Sequence, residues 1–102
     1  MTVRHGIIAQ IEITQALDYY RAKSDRTAYK FLIRFDRTVA RIVLNPSTYP
    51  KIQRYRGHRE IRYLSLDKFP YSLIYEVAAE GIVTISLWHQ KSRGEDWSKR
   101  ET

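Results

Sequence analysis

The sequence predicts an α+β fold in which an N-terminal strand and an antiparallel helical hairpin pack on a mostly antiparallel β-sheet. Three observations lead there. Apolar residues at helical spacing fill two stretches of the first half; only Ser24 and Asp25 separate those stretches; and short β-prone segments divided by turn residues fill the second half. Helices followed by strands with short connections are the pattern of segregated helix and sheet layers.

Thr2–Ile8 is β-prone, and from about Ile11 the spacing changes: Ile13, Ala16, Leu17 and Tyr20 stand at i, i+3, i+4 and i+7, one face of a helix running to about Lys23. Ser24 and Asp25 offer side-chain oxygens to cap a second helix. Its apolar stripe is Leu32, Phe35, Val39 and Ile42, and Asn45-Pro46 stops it. So short a connection folds the two helices back on each other, with both stripes facing a shared sheet.

After a turn at Ser47–Pro50, four β-prone segments follow: Ile52–Tyr55, Glu60–Leu66, Tyr71–Val77 and Ile82–His89, divided by Gly57-His58, Asp67–Pro70 and Glu80-Gly81. These connections predict an antiparallel meander. In the last segment Val83, Ile85 and Leu87 alternate with Thr84 and Ser86, which predicts one buried face under the helices and one partly wet face. Pro70 restrains Phe69 to extended geometry and is expected to fix the hairpin register at Phe69-Pro70-Tyr71. The helical Tyr19, Tyr20 and Tyr29, and Tyr71 and Tyr75 on a strand, read as core or rim aromatics.

A chain of 102 residues suits one domain spanning 1–102, and 43% hydrophobic with 28% charged residues is the balance of a folded chain rather than a disordered tail. There is no cysteine, which excludes disulfides and thiolate metal sites, and the three histidines are scattered, so no metal site is expected. Gly-rich phosphate loops, His-Glu-x-x-His and Gly-x-Ser-x-Gly are missing, which disfavours nucleotide hydrolysis, zinc proteolysis and esterase chemistry; no cofactor is expected. No apolar run approaches the roughly 18 residues a membrane span needs. The start Met1-Thr2-Val3-Arg4-His5 has no apolar signal-peptide core. A soluble cytoplasmic protein with no membrane contact is therefore the expectation.

The formal net charge of +7 points to polyanionic partners: RNA, DNA or an acidic protein segment. Between Lys51 and Leu66, Lys51, Arg54, Arg56, Arg59 and Arg62 stand against the single acid Glu60, with Tyr55 and Tyr63 interleaved. Such a basic, aromatic sheet region can hold a nucleic-acid backbone, or be an ordinary solvated surface. Where the last strand ends, Trp88-His89-Gln90-Lys91-Ser92-Arg93 gathers an imidazole, an amide and two cations, groups able to move a proton and stabilise a phosphate; a packing role for His89 is the bland alternative.

Taken in order, Ala16-Leu17-Asp18-Tyr19-Tyr20, Asn45-Pro46, Gly57, Arg62, Phe69-Pro70-Tyr71, Ile74-Tyr75 and a terminal His89 with Arg93 and Trp97 resemble the RelE/ParE toxins of type II toxin-antitoxin modules across nearly the whole chain. The resemblance implies a strand, a helical hairpin and a sheet, and a cognate antitoxin, often an acidic protein lying over the hairpin and sheet edge. RelE-like members are ribosome-dependent mRNA endoribonucleases; for that branch Arg62 and His89 would serve the reaction with Lys91 or Arg93 as phosphate clamps. Gln90, however, stands where a tyrosine often follows the histidine, and residues 52–56 hold no carboxylate.

Phe69-Pro70-Tyr71 and the tail carrying His89, Lys91, Arg93, Trp97 and Arg100 look instead like the ParE branch, which acts in plasmid stabilisation, inhibits DNA gyrase and is not a nuclease. Arg93-Gly94-Glu95-Asp96-Trp97 lacks the proline many such tails carry before the tryptophan. The resemblance thus implies a gyrase-binding toxin neutralised by an antitoxin. Its alternatives are an mRNA interferase on the ribosome and a non-toxic relative that only binds antitoxin.

Overall fold

One extended residue divides the helical half of the chain. In the computed structural model, which describes residues 2–52, 55 and 57–91, Ser24 (φ −172°, ψ 152°) ends α1 (Ile7–Lys23) and begins α2 (Asp25–Leu44). Its Oγ accepts the Thr27 N–H at 3.0 Å, and its own N–H donates to the Tyr20 carbonyl at 3.0 Å. A serine cap of this kind contributes about 1 kcal/mol. Asp25 adds an acid to the first turn of α2, where the helix dipole favours it. At the far end the Asn45 N–H caps the Arg41 carbonyl and Pro46 stops the helix, so α2 spans the 20 residues its sequence signals bracket.

α1 begins four residues before its expected start, and Ile7 and Ile8 are helical rather than extended. The signal is invisible in side chains because the cap is Gly6, whose N–H donates to the Thr84 carbonyl at 2.9 Å. A Cβ there would meet that same oxygen at 2.9 Å. The strand before it, β1, is only Val3–His5.

β2 (Ile61–Ser65), β3 (Tyr71–Ala78) and β4 (Gly81–His89) form the expected antiparallel meander, and β1 joins β4 in parallel, giving the order β1-β4-β3-β2. The β2–β3 turn places Lys68 at φ +70°, and the Leu66 N–H donates to the Tyr71 carbonyl beyond it. Gly81, expected within a turn, instead opens β4: its φ is +146° and a Cβ would lie 2.6 Å from the Thr2 carbonyl. The expected strand at Ile52–Tyr55 is not formed among the described residues: Lys51 makes a single bridge to Arg62, the Ile52 N–H donates to the Ile61 carbonyl, and the Tyr55 N–H turns back to the Ile52 carbonyl.

The main core lies between the helices and the sheet. Phe31, Phe35, Ile42, Leu73, Tyr75, Ile82 and Leu87 are buried there, with Ile13, Leu17, Tyr20, Val39, Phe69 and Tyr71 packed against them. On α2 the stripe centres on Phe31, fully buried, rather than on Leu32. Tyr20 stacks on Phe31, and Phe69 meets both rings edge-on at 5.0 and 5.4 Å, so the Phe69-Pro70-Tyr71 turn docks on the helices as well as fixing a hairpin. Tyr19 and Tyr29, by contrast, are 55% and 65% exposed and belong to no core.

The alternation expected in β4 is broken partway: Leu87 faces the helices as expected, but Ile85 does not. A β-bulge opposite Ile74/Tyr75 leaves Ile85 unpaired, since Ile74 faces Ser86 and Tyr75 faces Thr84. An extra residue reverses which face later side chains meet. Ile85 lies with Ile61 and Ile74 on the side away from the helices, with Ile52, Tyr55, Tyr63 and Trp88 against them, and beyond the bulge Leu87 enters the helix-side core. Thr84 and Ser86 point toward the helix layer, essentially inaccessible to water, and each has a partner: Thr84 Oγ1 lies 2.7 Å from His5 Nδ1, and Ser86 Oγ donates to Glu12 Oε1 at 2.8 Å. Buried hydroxyls are tolerable when so satisfied.

Candidate functional site

β4 carries Trp88 and His89 to the end of the sheet, and the register sets His89 opposite Tyr71 with ring centroids 5.0 Å apart, edge to face. The Gln90 N–H donates to the Pro70 carbonyl, so the β2–β3 turn also fixes where the chain leaves β4. His89 Nδ1 accepts the Lys91 N–H at 3.1 Å, which makes Nε2 the proton-bearing nitrogen of the neutral ring. The imidazole is thereby held in one tautomer.

These residues line one wall of a cleft of about 670 Å³; α1 supplies the other with Glu12, Gln15, Tyr19 and Tyr20. Burial first, and then the neighbouring Tyr71, push the Tyr20 hydroxyl up to about 12. The neighbouring Tyr71 hydroxyl is itself shifted upward, by burial first. Both phenols are neutral donors at neutral pH. The wall thus combines aromatic rings, a neutral hydroxyl pair, an imidazole and the Lys91 ammonium.

Sequence reasoning missed Glu12, an acid in the middle of α1 and far in sequence from His89. Its Oε1 accepts both Ser86 Oγ at 2.8 Å and the Leu87 N–H at 3.1 Å, plugging the β4 bulge at the back of the cleft. The one available signal was an acid on a helix flank followed by two buried polar positions in a strand, which does not reveal their pairing.

The basic sheet region looks different in three dimensions from its sequence. Arg59 pairs with Glu76, which β3 brings alongside and which the count along the chain could not include. Arg62 Nε donates to Glu60 Oε2 at 2.7 Å and its Nη1 donates to the Tyr49 carbonyl at 2.6 Å. Hydrogen bonds from Ser47 first, and then Arg62, hold the Glu60 carboxyl below its usual range; Arg59 does the same for Glu76. Two of the three described cations of this stretch are therefore tied to carboxylates, with Lys51 beside them at a second cleft of about 550 Å³. Arg54 and Arg56 lie outside the described residues, as do Arg93, Trp97 and Arg100 of the tail.

The structure does not bring Arg62 and His89 together. Arg62 faces Tyr75 and His89 faces Tyr71, on strands that flank β3 from opposite sides. Four residues along a strand is about 13 Å and two strand spacings about 10 Å, so one phosphate cannot touch both. Of the two expected clamps, Lys91 lines the cleft of His89, and Arg93 lies outside the described residues. Among the described residues no group of three or more His, Cys, Asp or Glu is placed to hold a metal ion, and no helix is long and apolar enough to cross a membrane.

No family model matches the sequence, and no curated protein matches it. Among solved structures, a chain of the chromosomal ParDE TA system from P. aeruginosa matches over 87% of this chain and 95% of that one, with a TM-score of 0.72 at 16% identity. The two chains share one fold, the RelE/ParE-like assembly of strand, helical hairpin and mostly antiparallel sheet that the sequence resemblance implied.

Proposed function

We propose that this chain, acting as one domain over residues 1–102, is the toxin of a ParE-like type II toxin-antitoxin module. It binds and inhibits DNA gyrase in the cytoplasm and is neutralised by a cognate antitoxin. The observation that carries the reading is the fold shared with a chain of a ParDE system along almost its whole length. The basic balance of +7 supports an acidic antitoxin, since opposite potentials steer association and fix register.

The choice of a binding toxin over an mRNA interferase is supported by the separation of Arg62 from His89 and by the engagement of Arg62 with Glu60 and the Tyr49 carbonyl. In this reading His89 and Lys91 lead into a target-binding tail that continues through Arg93, Trp97 and Arg100. The test is DNA supercoiling by gyrase with the purified, folded chain in excess: inhibition relieved by the antitoxin supports the reading, and unimpeded supercoiling contradicts it.

One observation favours the second reading, RelE-like cleavage of ribosome-bound mRNA. The cleft of His89 and Lys91 also holds Glu12, a carboxylate that the sequence around His89 lacks. That oxygen is already committed to Ser86 and Leu87. Codon-phased cuts in translating extracts, lost on His89→Ala, would move the assignment there.

A further inference from the structure

The largest cation array among the described residues is on the solvent side of α2. Arg26, Lys30, Arg37 and Arg41 are all exposed. At 3.6 residues per turn they fall within an arc of about 60° and extend along about 22 Å of helix. Arg34 continues the arc but is paired with Asp67 at 3.1 Å. The two acids of the helix, Asp25 and Asp36, fall about 80° or more outside it. Among the described residues none of the four has a carboxylate partner; Arg41 lies over the Tyr49 ring at 5.7 Å. The buried Phe31, Phe35 and Ile42 occupy the opposite side of the helix, so no part of the stripe is needed for the core.

We propose that this stripe is a binding surface for the phosphate backbone of duplex DNA, a function beyond the toxin reading and independent of which target that reading has. Shape decides between DNA and an acidic peptide. The four cations are exposed on one face of a single helix, and neither cleft described above is lined by any of them. A peptide helix is usually received by a groove, whereas the major groove of B-DNA, about 12 Å wide, receives an α-helix. Three of the four cations are arginines, whose planar forks bond phosphate oxygens in pairs.

The test is anisotropy of a labelled duplex of about 30 base pairs, titrated with the full chain between about 50 and 200 mM salt. Four phosphate contacts contribute about −3.6 to the slope of log K against log salt, roughly a 100-fold loss of affinity over that range. Arg26→Gln/Lys30→Gln/Arg37→Gln/Arg41→Gln, with circular dichroism to confirm folding, is expected to make the slope shallower by 3 to 4 units, about 0.9 per cation. Should that variant fail to fold, the double Arg37→Gln/Arg41→Gln is expected to lose about half as much. Neutralising Arg21 and Lys23 on α1 is expected to leave the slope nearly unchanged. An undiminished wild-type slope in the folded variant, no binding at the lower salt, or binding of an acidic peptide without binding of the duplex would each overturn the proposal.

Discussion

The Glu12 carboxylate accepts the Leu87 N–H at 3.1 Å across the interface between α1 and β4. It is a point at which the helical hairpin is hydrogen-bonded to the bulged strand, and Ser86 Oγ donates to the same oxygen. Glu12→Ala strands a buried backbone N–H and a buried hydroxyl, and is expected to lower unfolding stability by about 2–4 kcal/mol. Glu12→Gln keeps an acceptor and should lose less than half of that. Urea denaturation of the three proteins checks the order.

Tyr75, fully buried in β3, donates its hydroxyl to the Pro46 carbonyl at 2.6 Å and so ties the turn after α2 to the sheet. Tyr75→Phe is expected to destabilise by about 1–2 kcal/mol, because it removes a donor from a carbonyl without opening a cavity. Phe31→Ala, which does open one beneath Tyr20 and Phe69, is expected to cost about 3–5 kcal/mol. Thermal melts of both variants provide the comparison.

Acid should unfold the protein in two stages. Burial lowers the pKa of His5, so the unfolded chain takes up its proton first and stability falls as pH drops below about 6.5. Glu60 and Glu76 are lowered by their hydrogen-bond partners; the stability they contribute is complete above their ordinary value of 4.5 and is lost as pH falls through their folded values. His5→Gln should remove the upper stage and Glu76→Gln should shrink the lower one, as read from unfolding midpoints across pH.

Arg62 is expected to behave as a structural residue. Arg62→Ala leaves Glu60 without one of its donors and the Tyr49 carbonyl without its guanidinium, a loss of about 1–3 kcal/mol. The conservative Arg62→Lys should recover only part of it, since an ammonium cannot span both acceptors as the planar fork does. If RNA cleavage were the activity, Arg62→Ala would abolish cutting under conditions where the variant is still fully folded.

What was legible in the sequence follows from where the folding signals reside. α2 was readable at both ends because Ser24 and Asn45-Pro46 carry its start and stop in their own side chains. The start of α1 was not, because Gly6 is fixed by a backbone hydrogen bond to β4, some 80 residues away. The meander was readable from its turns, but the bulge in β4 leaves no mark: Ile85, Ser86 and Leu87 alternate regularly in sequence while their faces do not. For the candidate site, the cluster at His89 and Lys91 was visible as adjacent residues. Glu12 behind it and Glu76 beside Arg59 were invisible because other elements deliver them. The α2 cations were not singled out in the sequence, although they stand at a spacing of 4, 7 and 4 residues, because that spacing forms a stripe only once the helix is given.

The most direct measurement is gyrase supercoiling together with mRNA integrity in one translating system, on adding the folded full-length chain without antitoxin. The expected result is blocked supercoiling with intact ribosome-bound messages. Normal supercoiling, or codon-phased cuts in those messages, would contradict the assignment as a ParE-like gyrase toxin.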